Sequence, residues 1–141
     1  MRRSLTLAIV LIASLVAPGT ANAADSFDPN EMTFPVGGED YQILDNFGDC
    51  RGNDCSRLHE GVDIMAEKMT PVYAVADGVA TWVSTSQSDC CRMQIDHGDG
   101  WATRYIHLNN DTEGTDDGQG WGIADGIEDG TPIERGQLIG W

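Results

Sequence analysis

The chain has 141 residues, with 23 Asp and Glu against 8 Lys and Arg and a formal charge of −15. That length suffices for one domain with one core and is short for two. The acidity excludes the basic stripe that holds phosphates, so nucleic acid is not an expected partner, and an acidic surface keeps an exported protein soluble.

The first residues have the form of an export signal. "MRRS" is basic, "LTLAIVLIASLVA" is apolar but too short to cross a bilayer, and "PGTANA" ends on the small-x-small pattern that signal peptidases cut. Residues 1–23 are expected to be removed after Ala23, and loss of Arg2 and Arg3 takes the charge from −15 to −17. Ala24, not a cysteine, stands directly after the cut, so lipid anchoring there is not expected, and no stable membrane insertion is expected once the signal is removed. The expected destination is extracellular, cell-wall or periplasmic. Residues 24–33 are polar and read as a flexible leader, and the folded domain is expected over 34–141.

Export permits disulfides. Cys50, Cys55, Cys90 and Cys91 allow three pairings. Joining Cys50 to Cys55 forces Cys90 onto Cys91, whose Cα atoms at about 3.8 Å fall short of the usual disulfide span. The crossed pairings would staple the 50–55 loop to the 90–91 segment. Both arrangements stay open, and in either the cysteines are structural.

From "FPVGG" onward, short apolar runs alternate with Gly, Asp and Asn. "YQIL" and "GVDIMA" read as strands. "TPVYAVADGVATWVS" reads as two strands broken at "ADG", and "CRMQIDHGDGWATRYIHL" as two strands around "HGDG". "TPI" and "GQLIGW" close the chain. No sustained helical period follows the signal segment, so the expected class is all-β with antiparallel sheets. Alternation in "WATRYIHL" places Trp101, Thr103, Tyr105 and His107 on one face, and Ala102, Arg104, Ile106 and Leu108 on the other. Residues 109–130 are rich in Gly and acid and read as an inserted, solvated loop. A calcium loop does not fit: with Asn109, Asp111 and Glu113 as leading ligands, Gly120 stands where a bidentate Glu is required.

Chemistry is limited by the presence of three histidines, His59, His97 and His107, and no serine-nucleophile signature. His59 and Asp63 form an HxxxD pair. On a straight strand these positions lie about 13 Å apart, too far to share a metal. Gly61 and the β-branched Val62 and Ile64 disfavour a helix. The remaining route is a bend, with His59 on a loop, Asp63 inside the next strand and Gly61 allowing the sharp geometry.

"FPV", "DNFGD", "RLHEGVDIMA", "TPVYAVADGVATWV", "QIDHGDGWATRYIHL" and "IERGQLIG" occur in an order that resembles the lysostaphin-type (LytM-like) zinc metallopeptidases, from about Phe34 to Trp141. The resemblance implies a groove on an antiparallel sheet of the duplicated-hybrid-motif type, one Zn2+ ion, and peptidoglycan peptides as substrate. It implies that His59 and Asp63 are metal ligands. It implies that His107, in "YIHL", is a catalytic histidine that is not a ligand and that supports the oxyanion formed when zinc-activated water attacks a peptide carbonyl. His97 matches a histidine with no ligand role, read here as turn or packing. The family's third ligand and second catalytic histidine lie in an HxH motif after the "GQLIG" strand, and no HxH occurs in these residues. The domain is therefore expected to be C-terminally incomplete. The rival reading is a non-catalytic module of the same fold that binds the cell wall or activates other wall hydrolases. A biotinyl- or lipoyl-type carrier, suggested by "AVADGVA" and "PIERGQLIG", ranks below it, because Lys68, the only lysine, is not on a hairpin tip.

Overall fold

The computed structural model describes residues 27–141; the expected signal segment 1–23 and residues 24–26 lie outside them. Ten short strands follow one another: β1 (Tyr41–Ile43), β2 (Cys50–Arg51), β3 (Arg57–Leu58), β4 (Ile64–Ala66), β5 (Val72–Tyr73), β6 (Gly78–Thr81), β7 (Arg92–Gly98), β8 (Trp101–Ile106), β9 (Pro132–Ile133) and β10 (Leu138–Gly140). Two 3-10 turns, Pro29–Glu31 and Gln87–Asp89, are the only helical pieces among the described residues. Every strand pairing is antiparallel, as the run of short apolar segments between turn residues predicts.

The largest sheet runs β8-β7-β6-β9, and β1-β4, β10-β5 and β2-β3 form two-stranded ribbons. The core lies on one face of the four-stranded sheet. Met93, Ile95 and His97 of β7 alternate inward, with Ala80 of β6 and Tyr105 of β8 beside them, and Ile123, Ile133 and Ile139 complete the packing. The other face is wet, carrying Val79, Arg104 and Ile106. Gly78 has a specific reason to lack a side chain: a Cβ there would strike the Asp96 carbonyl oxygen and the Ile95 side chain.

Residues 27–33, within the expected leader, contact the sheet. Phe27 stacks on His97 at 4.7 Å between ring centroids, the Thr33 amide donates to the Val75 carbonyl at 2.8 Å, and Arg135 donates to the Glu31 carbonyl at 2.8 Å. Cys50 is bridged to Cys55 and Cys90 to Cys91, so the crossed staple is not formed.

The alternation expected along β8 fails at its end. Tyr105 is buried, but His107, expected on the same face, is exposed, and Leu108 is buried at 7%. His107 takes φ +63°, a left-handed conformation that ends the strand and turns the next side chain inward. His107 is thus not on the Tyr105 face.

The acidic stretch after Leu108 also differs from a simple solvated loop. Lys68 donates to Asp111 Oδ2 at 2.7 Å, to the Thr115 carbonyl at 3.1 Å and to Asp116. Gln87 Nε2 reaches the carbonyls of Gly118 at 2.6 Å and Gly120 at 3.0 Å. A Cβ at Gly120 would strike the Asp111 carbonyl, and one at Gly122 the Asn109 carbonyl. The glycines therefore let the loop cross closely over its own backbone, and its later part delivers Ile123, 2% exposed, into the core.

Candidate metal and catalytic site

The segment between β3 and β4 is where His59 and Asp63 meet. The ladder of β2 and β3 pairs Cys50 with Leu58 and Arg51 with Arg57, and His59 continues it by donating its amide to the Asp49 carbonyl at 2.8 Å. The chain bends at Gly61 and Asp63 stands immediately before β4, not inside it. Gly61 does not take a positive φ. A Cβ there would meet only His59 Nε2, at 3.8 Å, an ordinary van der Waals contact.

The bend brings His59 Nε2 to 3.4 Å from Asp63 Oδ1. His59 Nδ1 lies 3.0 Å from the Asn46 carbonyl oxygen. A carbonyl only accepts, so Nδ1 carries the hydrogen and Nε2 of a neutral imidazole presents a lone pair. The far carboxylate oxygen is occupied separately: Asn46 Nδ2 donates to Asp63 Oδ2 at 2.7 Å and Arg51 to the same atom at 3.3 Å. Asn46 Oδ1 also accepts the Asp63 amide at 3.2 Å. The Asn46 hydrogen bond, the largest cause, holds the Asp63 carboxyl below the usual carboxylate range; desolvation, the next largest, pushes it up, and smaller contributions from His59, when protonated, and from Arg51 lower it.

Two acceptor lone pairs, on Nε2 and Oδ1, therefore face each other, an arrangement that needs a proton or a cation between them. The spacing suits a metal. Two donors each about 2.05 Å from a tetrahedral zinc would be about 3.3 Å apart, and the second contacts, Nδ1–H on a carbonyl and Oδ2 on an amide, are of the kind that orient metal ligands. The donors present thus fit two corners of a zinc site. No group of three or more His, Cys, Asp or Glu side chains that could hold a metal occurs among the described residues.

His107 follows β8 at the edge of the large sheet, and its imidazole makes no hydrogen bond or ion pair among the described residues. His97 is engaged inside the fold: Nδ1–H donates to the Asp77 carbonyl at 2.6 Å, and Nε2 lies 2.9 Å from Thr103 Oγ1, which in turn lies 3.4 Å from the Tyr105 hydroxyl. The Tyr105 oxygen accepts the Val75 amide at 2.9 Å, and burial pushes its pKa up. Sequence reasoning missed Asn46 and Arg51. "DNFGD" marks Asn46 as a turn residue, but its contacts with Asp63 span 17 positions, and no local pattern encodes them.

The family model for peptidase family M23 matches residues 57–141, more than half of the chain. The chain belongs to peptidase family M23. It is also 32% identical, over 114 residues, to the L-Ala–D-Glu endopeptidase of Bacillus subtilis (strain 168). That match covers 80% of this chain and 31% of the relative, so the chain spans about a third of the length of the curated relative it matches. No solved structure matches the chain significantly. The M23 segment begins at Arg57 and takes in His59, Asp63 and His107, whereas Asn46 and Arg51 precede it. Among the described residues no helix is long and apolar enough to cross a membrane.

Proposed function

We propose that this M23 domain is part of an exported zinc endopeptidase acting on the peptides of peptidoglycan, with His59 and Asp63 as two of its metal ligands. The observation that carries the reading is the opposed pair of acceptors: with Nδ1–H of His59 fixed on the Asn46 carbonyl, Nε2 faces Asp63 Oδ1 at 3.4 Å. A bound zinc ion would supply an acidified water and a Lewis acid for a peptide carbonyl. This chain's own residues do the rest. Asn46 and Arg51 hold Oδ2 so that Oδ1 is presented. His107, exposed and without a hydrogen-bond partner among the described residues, would donate to the negative charge that develops on the carbonyl oxygen. Catalytic zinc takes three protein ligands, so the third donor would come from residues other than those described. The likeness to an L-Ala–D-Glu endopeptidase supports a peptide bond as the target, and the N-terminal segment supports export.

Zinc titration against a competing chelator tests the ligand assignment on the 141-residue chain. Weak binding is expected, lost in His59→Ala and in Asp63→Ala and kept in His107→Ala. Equal loss in His107→Ala would mean that its role is assigned wrongly. Zinc retained stoichiometrically through dialysis, or peptidoglycan cleaved by these residues alone, would overturn the two-donor reading. In a longer chain that supplies the third ligand, His107→Ala should abolish turnover and leave the zinc content unchanged.

A further inference from the structure

We infer that Arg51 and Arg57 form a carboxylate-binding pair beside His59 and Asp63, so that the peptide taken by this site is anionic next to the point of attack. The inference rests on the proposed function in taking a peptide as the ligand. Arg51 and Arg57 are direct partners across the β2–β3 ladder, and cross-strand partners project from the same face. Arg57 and His59 are two positions apart on one extended run, which also puts them on one face. The contact from Arg51 to Asp63 Oδ2 at 3.3 Å shows that this face is the one turned to the site. Cys50 and Leu58 occupy the opposite face, and the Cys50–Cys55 bridge closes the turn behind the arginines.

Like charges directly opposite one another destabilise a ladder unless an anion lies between them. Here no protein anion does so. Asp63 Oδ2 takes a single long bond from Arg51 and is already held by Asn46 at 2.7 Å. Arg57 has no ion pair or hydrogen bond from its side chain among the described residues, and it is exposed. The other described cations are all engaged. Arg92 meets Asp89 and the Trp82 ring, Arg104 meets Gln94 and the same ring, Arg135 meets the Glu31 carbonyl, and Lys68 meets Asp111 and Asp116. In a chain of charge −15, Arg57, with no carboxylate partner among the described residues, stands beside Arg51, whose one carboxylate contact is the 3.3 Å bond to Asp63, and the two form a fork suited to recognition of a carboxylate supplied by the ligand. A carboxylate on a residue flanking the cleaved bond and a peptide C-terminus share this chemistry.

Isothermal titration of the 141-residue chain with three peptides tests the inference: N-acetyl-L-Ala-D-Glu-Gly amide, its neutral D-Gln counterpart, and that counterpart with a free C-terminal carboxylate. One or both carboxylate peptides should bind about tenfold tighter than the neutral one, with a preference that shrinks as salt is raised. Arg57→Gln should erase the preference, and Arg57→Lys should keep part of it, with the amide spectrum confirming the fold in each. Whichever carboxylate is preferred identifies its source. Equal binding of all three, no binding of any, or an unchanged preference in folded Arg57→Gln would overturn the inference. The zinc titration separates the two readings. Carboxylate preference without His59-dependent zinc binding would remove the metal reading and leave the arginine pair. Zinc binding without carboxylate preference would remove the arginine pair alone.

Discussion

Asn46 makes three contacts with the His59–Asp63 pair and is itself neither a metal donor nor charged. Its carbonyl fixes the His59 tautomer, its amide nitrogen holds Asp63 Oδ2 and its amide oxygen accepts the Asp63 amide. Asn46→Ala removes the last two while sparing the backbone carbonyl. We expect zinc affinity to fall about 10- to 100-fold, the usual cost of losing a group that orients a ligand, read by chelator competition. The Asp63 carboxyl should move up toward its ordinary value, because the Asn46 bond is the largest cause of its depression; carbon-detected NMR of the carboxyl reads this directly. A second residue-scale prediction concerns Asp117. Its carboxylate accepts the amides of Thr112 at 3.0 Å and Gln119 at 2.9 Å, which lowers its pKa to about 2. A carboxyl depressed in the folded state stabilises above its unfolded value of 3.8 and loses that contribution as pH falls through the folded value. The Thr112 and Gln119 amide shifts should therefore titrate near pH 2; a midpoint near the unfolded value would refute the capping role.

At the scale of elements, the long hairpin of β7 and β8 was legible because Met93, Ile95 and His97 alternate with Gln94 and Asp96 around the "HGDG" turn. The end of β8 was not legible. Nothing local in "YIHLNN" announces that His107 would adopt φ +63° and hand the inward position to Leu108. The outcome is decided by Leu108 donating its amide to the Cys91 carbonyl at 3.1 Å and packing into the core. The loop after it was read from composition as solvated, yet its glycines mark crossings of backbone over backbone. Gly120→Ala should force the chain away from the Asp111 carbonyl, costing about 1–3 kcal/mol as an overpacked site does. Urea unfolding would give the loss. Hydrogen exchange should quicken at Gly118 and Gly120 first; unchanged protection there would show that the crossing can relax.

For the whole molecule, stability rests on one thin core shared by the large sheet and the β5–β10 ribbon. Ile95, fully buried on the central strand β7, is its most sensitive point. Ile95→Ala should cost about 2–5 kcal/mol, visible as a lower urea midpoint with an unchanged slope. The proposed metal site stands apart from this core, on the β2–β3 ribbon and the bend before β4, with Asp63 about two-fifths exposed. Its loss should leave the fold standing. His59→Ala is expected to change the urea midpoint little without zinc. Zinc at a hundred times its dissociation constant should add about 2.7 kcal/mol to the unmutated chain and nothing to this variant.

The sequence by itself determined the all-β class, the order of the strands other than the two-residue β2 and β3, and the identity of the HxxxD pair, because alternation, turn residues and spacing are local properties that each segment carries alone. It also carried the motif order by which the M23 family is identified. Only the tertiary structure decided that Asn46 and Arg51 close around Asp63, that the bend at Gly61 is made without a positive φ, that the cysteines pair with near neighbours, and that Arg51 and Arg57 stand side by side facing the site. Each of these depends on strand register or on contact between residues distant along the chain. Register follows from how the faces of all the ribbons are buried together, and no single segment specifies that.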